Sequence, residues 1–295
     1  NNDSPRGLWG LREGHIQMFK TIAIIGVGRM GGGIARNLCH GEFEVTVYDF
    51  NPEAVKKCTD EGAKAAASVE TAVAGQELII TSLPTPEIVL GVYQENLEFS
   101  DAQAVWMDVS TIDPGSARTV CDQVEASGRQ FVACPLGKGP AQAHDGTLPL
   151  FVGGKKDVVD SLGNVFSCIG ENVHYMGDVE ASTAFKIVSN MIGMTNLSVM
   201  SEGYALCKEL GVGDEAFTEA LKDTGGWSAQ AALRLPWIID GDFENRFAVD
   251  LGVKDVRLAV DAAARHGVPV HVGAAGLMSL VAASAYGWGH DDVNA

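Results

Sequence analysis

Long hydrophobic runs are missing from this 295-residue chain: no apolar stretch approaches the roughly 20 residues a helix needs to cross a bilayer, so no spanning helix is expected. Residues 1–17 also lack the apolar centre of a secretory leader and read as a tag or loose arm ahead of Met18, which points to a cytoplasmic protein. Cations are scarce, with 21 Lys and Arg against 38 Asp and Glu and a net charge of −17. That balance argues against nucleic acid or an anionic membrane as partner, since both require basic patches. It also means that an anionic ligand must be held by local cations inside a cleft. Paired cysteines are absent too: the six (Cys39, Cys58, Cys121, Cys134, Cys168, Cys207) form no CxxC and stand near no His pair at metal-ligand spacing. They read as free thiols in a reducing compartment, and no metal is expected. For the same reason of spacing His144, His174, His266 and His271 receive no role.

What is present begins with residues 21–33, TIAIIGVGRMGGG, a short apolar strand that runs into glycines. Gly26, Gly28 and Gly31 have the GxGxxG spacing of a dinucleotide-binding turn. The first allows the tight turn, the second lets a pyrophosphate approach the backbone, and the third brings the next helix close to the strand. Free N–H groups at that helix start then face the phosphates. A second strand, 44–48, ends in Asp49, about 20 residues past the turn, where an acid accepts hydrogen bonds from the adenosine ribose hydroxyls. Phe50 and Asn51 follow, with no Arg to receive a 2′-phosphate, so NAD is expected rather than NADP.

Further apolar strands are expected at 77–83, 104–109, 130–133 and 148–152, with helices at 31–39, from Asn51-Pro52 to Gly62, and at 156–166. Strands that alternate with helices and end in small polar loops predict a parallel, doubly wound sheet with its ligand beyond the strand ends. Leu83, Pro84, Ser110 and Thr111 then belong at the cofactor rim, and Ser110 and Thr111 can offer donors to a substrate carboxylate. From 182 to 210 the apolar period becomes helical, and later segments (215–221, 254–266, 274–285) are helical as well. The expected organisation is an α/β Rossmann domain over 18–181 and an all-α domain over 182–295, joined by the long helix. Trp227, Trp237 and Phe247 suggest subunit contacts in the second domain.

Several motifs fall into one order. Gly26-Val-Gly-Arg29-Met30-Gly31 resembles a GxGxMG turn, Asp108-Val-Ser110-Thr111 a DxST segment, and Gly146-Thr-Leu148 with Val152-Gly-Gly154 the end of a substrate motif. Lys186-Ile-Val-Ser-Asn190 resembles a catalytic KxxxN, and Lys254-Asp255 the KD that opens a late helix. With these five matches the chain resembles the β-hydroxyacid dehydrogenases, the family that includes 3-hydroxyisobutyrate dehydrogenase, over essentially 18–295. The resemblance implies hydride transfer between NAD and a short 3-hydroxy acid, Lys254 on the nicotinamide side of the cleft, and a homodimer or homotetramer. The residues support the chemistry independently. A hydroxyl must lose a proton as hydride leaves, and a partly buried Lys whose proton affinity is lowered by desolvation can exchange that proton near neutral pH. Lys186 and Asn190 are four apart and share a helix face, so Asn190 can bind substrate or hold the ammonium. Asp255 is set aside as a first-turn helix acid of the kind common for dipole reasons alone.

The family's substrate loop reads DAPVSGG, whereas residues 133–139 read ACPLGKG. Gly137 replaces the Ser and Lys138 the first following Gly. Sulfolactaldehyde reductases are similar in having Gly-Arg at those two positions, with the Arg facing the sulfonate. Leu136, Gly137 and Lys138 are therefore candidate substrate residues, with Lys138 binding the acidic group of a small anionic hydroxy acid or aldehyde, as a point charge without Arg's fork. Alternatives are a reductase of a small anionic aldehyde such as sulfolactaldehyde or succinic semialdehyde, an imine reductase, against which Lys186 speaks, and a non-catalytic dinucleotide sensor.

Overall fold

Continuous apolar runs make strands that can be buried on both faces, and two of them, over 21–25 and 78–81, lie side by side at the centre of the sheet. β1 (Thr21–Ile25), followed by α1 (Arg29–His40), lies between β2 (Glu44–Tyr48) and β4 (Leu78–Thr81), and all pair in parallel. The computed structural model describes residues 19–295, so the expectations for residues 1–17 and for Met18 lie outside the described residues. After β2 come α2 (Pro52–Asp60), the two-residue β3 (Lys64–Ala65) and α3 (Val69–Val73); after β4 come α4 (Pro86–Asn96) and β5 (Val105–Asp108). α5 (Pro114–Ala126) leads to β6 (Gln130–Ala133), α6 (Pro140–Asp145) to β7 (Leu148–Gly154), and α7 (Lys156–Ser161) with α8 (Gly163–Ile169) to β8 (Gly170–Gly177).

The sheet order is β3-β2-β1-β4-β5-β6-β7-β8. Strand order reverses between β1 and β4, and the crevice beyond their carboxyl ends is the place where such sheets bind ligands. The expected all-parallel arrangement holds from β3 to β6. β7 runs antiparallel to β6, and β8 is parallel to β7. β8 escaped sequence inspection because GENVHYMG is mostly exposed or half-buried and has no apolar run. The helix expected over 156–166 divides into α7 and α8 at Leu162.

Three of the strand-to-helix loops use one device. Asn51, Thr85 and Asp113 cap α2, α4 and α5 by accepting from the N–H groups of Glu53, Ile88 and Gly115, and a Pro follows each cap. A cap of this kind contributes about 1 kcal/mol, and Pro at the first turn costs the helix nothing because that N–H has no helical acceptor. One apolar cluster fills each face of the sheet, with Ile22, Ile24, Leu78 and Ile80 on one side and Ala23, Ile25, Ile79 and Trp106 on the other.

α9 (Val179–Glu209) is the long connecting helix, starting three residues before the expected position. At about 1.5 Å per residue it spans roughly 46 Å, long enough to pack on α5 and β7 at one end and on the helical half at the other. That half consists of α10 (Asp214–Lys222), α11 (Ala229–Asp240), α12 (Val249–Arg265) and α13 (His271–Ala283) around a third apolar cluster. Trp227 and Phe247 pack against this cluster and Trp237 lies 4.2 Å from the Arg246 guanidinium. Trp227 and Phe247 thus contribute apolar surface to the chain's own core. Large apolar side chains left exposed in this half include Ile192, Val199 and Leu206 on α9 and Val272 and Met278 on α13. No helix among the described residues is long and apolar enough to cross a membrane.

Candidate active site

The glycine turn lies at the switch point. Gly26 has φ +87, a conformation that L side chains rarely adopt, and a Cβ there would stand 2.3 Å from the Ser82 carbonyl oxygen. A Cβ on Gly31 would stand 2.0 Å from the Gly26 carbonyl oxygen, so both positions require glycine for space. Gly28 differs: a Cβ there would meet nothing within 4 Å, and the backbone faces an open crevice. α1 starts at Arg29 with no acid in its first turn and no side-chain cap, which leaves its N–H groups available to an anion. Arg29 is exposed and donates to Asn245 Oδ1 across the cleft at 3.0 Å, while Met30 packs partly buried against the sheet core. Asp49 Oδ2 accepts from Val27 N–H at 2.8 Å and Oδ1 from Asn51 N–H at 2.8 Å, which ties the acid to the turn beside the bare backbone of Gly28. Phe50, the next side chain, is almost fully exposed. An open pyrophosphate cradle with a fixed acid that is followed by Phe50 rather than by a cation fits NAD, and it disfavours the extra phosphate of NADP.

The residues expected at the cofactor rim lie after β4 and β5. The Leu83 N–H donates to Ser110 Oγ at 2.9 Å, and Ser110 Oγ in turn donates to Asp108 Oδ1 at 2.6 Å. Ser110 was expected to offer its hydroxyl to a substrate carboxylate, but its one proton is committed to Asp108. Pro84 is exposed beside Leu83. Asp108 is buried and also accepts from Thr81 Oγ1 at 2.7 Å, which lies 3.0 Å from the Tyr93 hydroxyl. Burial pushes the Asp108 carboxyl up to about 6, against the opposing effect of the hydrogen bonds from Ser110 and Thr81.

On the other side of the cleft four polar side chains form a line. Lys186 on α9, only 9% exposed, donates from Nζ to Asn190 Oδ1 at 3.1 Å. Asn190 Nδ2 donates to Asp255 Oδ2 at 2.6 Å. Asp255 Oδ1 stands 2.9 Å from Lys254 Nζ, and Lys254 Nζ donates to the Thr111 carbonyl oxygen at 2.9 Å. The line thus runs from the helical half to the rim of the sheet. Burial lowers the proton affinity of Lys186, the positive charge of Lys254 adds to this, and Asp255 opposes it.

Two features of this line differ from expectation. Lys254 and Asp255 do not open a helix: α12 begins at Val249, which places them one turn further in. Asp255 was set aside as a first-turn acid, yet it is 3% exposed and accepts the Asn190 amide. Its signal in the sequence was the apolar spacing of Val249, Val253, Val256 and Val260, which puts 252, 255, 256 and 259 on the inward face.

The altered loop follows β6. Leu136 bridges Leu150 of β7, and its side chain is buried in the sheet core, so only its backbone can face a ligand. A Cβ on Gly137 would lie 3.0 Å from Pro149 and 3.3 Å from the Phe151 ring. The Phe151 ring packs 4.7 Å from that of Phe185, the residue before Lys186, which brings the loop and the lysine to one side of the cleft. Lys138 is exposed at φ +60, with no ion pair to any other described residue.

Comparison with known proteins agrees with this geometry. Residues 21–177 match the family model of the NAD binding domain of 6-phosphogluconate dehydrogenase, and residues 181–295 match that described as NAD-binding of NADP-dependent 3-hydroxyisobutyrate dehydrogenase. The chain is 31% identical to 2-(hydroxymethyl)glutarate dehydrogenase from Eubacterium barkeri over 94% of both proteins. It is 30% identical to 3-sulfolactaldehyde reductase from Escherichia coli (strain K12), over 93% of this chain and 94% of that one. A solved structure of Mycobacterium tuberculosis 3-hydroxyisobutyrate dehydrogenase with L-serine aligns at TM-score 0.88 and 26% identity, covering 94% of this chain and 98% of that one. With an NAD-binding sheet, a lysine-bearing connecting helix and relatives of this kind along nearly its whole length, the chain belongs to the β-hydroxyacid dehydrogenase family of NAD-dependent oxidoreductases.

Proposed function

We propose that the protein interconverts a short 3-hydroxy acid bearing a second anionic group and the corresponding aldehyde, with Lys186 as general acid and base. The observation that carries this reading is a lysine buried at the cleft and held by Asn190 four residues on. NAD, which the glycine turn and Asp49 would hold, would supply the hydride acceptor for the hydroxyl-bearing carbon and, in its reduced form, the hydride donor for the carbonyl carbon. Lys186 Nζ, as the neutral amine, takes the hydroxyl proton as the carbon–oxygen bond becomes a carbonyl, and as the ammonium it gives that proton back in the reverse direction. Desolvation lowers the proton affinity of the amine, which makes its neutral form easier to reach, and exclusion of water from the cleft strengthens every charge interaction at the reacting oxygen. Asn190 fixes the amine and can share the substrate oxygen. Among cofactor contacts we assign Gly26, Gly28, Arg29, Met30 and Gly31 to the phosphates, Asp49 to the ribose, and Leu83, Pro84, Thr111 and Lys254 to the nicotinamide end.

Lys138, a cation without an ion pair among the described residues, is the natural holder of the second anionic group. Relatives named for a hydroxymethyl dicarboxylate and for a sulfonated aldehyde support that class, and the second name favours reduction of a small anionic aldehyde as the working direction. Division into a cofactor domain over 18–181 and a substrate domain over 182–295 is supported by the change from sheet to helices at α9. The exposed apolar residues of α9 and α13 support a homodimer or homotetramer, and the acidic surface supports a cytoplasmic enzyme without nucleic-acid or membrane partners.

The test has two arms. Lys186→Met is expected to lose about a thousandfold in kcat, within the range of general acid–base catalysis, while NAD affinity, measured by fluorescence titration, persists; near-full turnover would remove Lys186 from its role. A screen with NAD against 3-hydroxyisobutyrate, 4-hydroxybutyrate, glycerate, serine, 2-(hydroxymethyl)glutarate and dihydroxypropanesulfonate is expected to favour the last two. Preference for a substrate with one anionic group or none overturns the substrate class.

A further inference from the structure

We infer that Asp255 is a positioning residue for the acid–base lysine: one buried carboxylate holds the amide that orients Lys186 and at the same time offsets the charge of Lys254. The inference rests on the acid–base reading of Lys186 and adds a group that does not itself touch the reacting atoms.

The two carboxylate oxygens have different work. Oδ2 accepts from Asn190 Nδ2 at 2.6 Å, which turns the Asn190 amide so that its oxygen faces Lys186 Nζ. An unheld amide could rotate by 180° and present its NH₂ to the ammonium, a repulsive arrangement. Oδ1 stands 2.9 Å from Lys254 Nζ but accepts no hydrogen bond among the described residues, so the Lys254 contact there is one of charge rather than of direction. Lys254 directs its proton to the Thr111 carbonyl oxygen instead. Lys254 therefore contacts the buried carboxylate directly and Lys186 reaches it through Asn190, and Asp255 and Lys254 act on the proton affinity of Lys186 with opposite signs.

Few other charges reach Lys186. Of the elements packed on α9, β6 and β7 carry no ionisable side chain and α13 carries only His271 at its start. On α5, Arg118 is bound to Glu180 at the foot of α9 through two contacts of 2.5 Å. Arg234 of α11 is paired with Asp292, Lys208 and Asp214 pair near the far end of α9, and on β8 His174 stacks on Phe151. The charge interactions acting on Lys186 come from Asp255 and Lys254, both on α12. A merely structural acid would need only the Asn190 bond; placing the carboxylate between both lysines makes it a determinant of when Lys186 releases its proton.

Two substitutions with opposite predicted signs test this. Asp255→Asn keeps the shape and an acceptor for Asn190 but removes the negative charge. Lys254→Met removes the competing positive charge. In the alcohol-oxidising direction Lys186 must be neutral, so kcat rises with pH through its titration. Asp255→Asn is expected to move that rising limb to lower pH, and Lys254→Met to higher pH. The pH dependence of Lys186 acylation, read by competitive labelling and mass spectrometry in cofactor-free protein, should move in the same two directions. If Asp255→Asn does not fold, as judged by loss of NAD binding, the shift of Lys254→Met decides alone. A fall in kcat with both limbs and both labelling profiles unmoved overturns the inference. Loss of the acid–base reading shows itself separately, as turnover retained by Lys186→Met.

Discussion

Two buried polar lines meet at the cleft, one in the sheet and one in the helices, and their difference shows how each half contributes. In the sheet, Asp108 is surrounded by hydroxyls: Thr81 and Ser110 donate to it, and Tyr93 stands behind Thr81. Neutral donors only partly compensate burial, so the carboxyl is pushed up to about 6. In the helices, Asp255 lies between an amide and an ammonium, and beyond the amide is a second ammonium. The first line holds the Leu83–Ser110 rim in shape and keeps its protons internal. The second places a titratable amine where a substrate can reach it. A buried acid among hydroxyls makes a scaffold, whereas a buried acid among lysines, under the proposed acid–base role of Lys186, would set when that lysine releases its proton.

The largest break in this comparison is expected at Lys186. Besides its loss of turnover, Lys186→Met should raise stability near neutral pH, since burial disfavours the lysine's ammonium and Met removes that penalty. The sign of the pH dependence follows from the lowered proton affinity of the native lysine. Between that lowered value and the ordinary 10.5 the folded state binds fewer protons than the unfolded chain, so the wild type gains stability as pH rises through this window. The advantage of Lys186→Met should accordingly shrink in alkali, as followed by urea unfolding; a constant or growing advantage means that the amine carries no burial penalty.

Asp108→Asn sharpens the other half. The native carboxyl is raised from 3.8 to about 6, so stability falls as pH rises through that window, and the penalty is complete above it. A two-unit shift corresponds to about 3 kcal/mol. The Asn retains acceptors for Thr81 and Ser110, so its gain over the wild type should be about that size at pH 8 and near zero at pH 3. Equal unfolding free energies for the two proteins at pH 8 would remove the scaffold reading of Asp108. The smallest effect is expected at the exposed Lys138. Lys138→Ala should raise KM about tenfold, or about 1.4 kcal/mol, for substrates with two anionic groups and far less for those with one; a uniform rise assigns Lys138 no part in selection.

Much of the sheet was legible in the sequence because local rules dictate it. Residues 44–48 and 130–133 became strands with the predicted bounds, and Asp49 lies beside the glycine turn. β8 was not legible, since its apolar alternation is weak and the strand is held by pairing with β7. α4 and α5 were not among the expected helices, although Pro86 and Pro114 stand at their first positions behind the caps Thr85 and Asp113. In the site, Lys186 and Asn190 were readable from four-residue spacing. Asp255 was not, because its meaning depends on the α12 start at Val249, a full turn earlier than the KD motif suggested.

The sequence by itself determined what depends on spacing along one element: the turn that needs glycine at Gly26 and Gly31, the acid after β2, and the pairing of Lys186 with Asn190 on a helix face. Only the tertiary structure decided that Ser110 gives its proton to Asp108, that Leu136 points into the core, and that Asp255 stands between two lysines. Each of these is a contact between segments brought together by the packing of α9 and α12 or of the sheet, and the direction of a hydrogen bond or a field inside a low-dielectric cleft exists only once those segments have met.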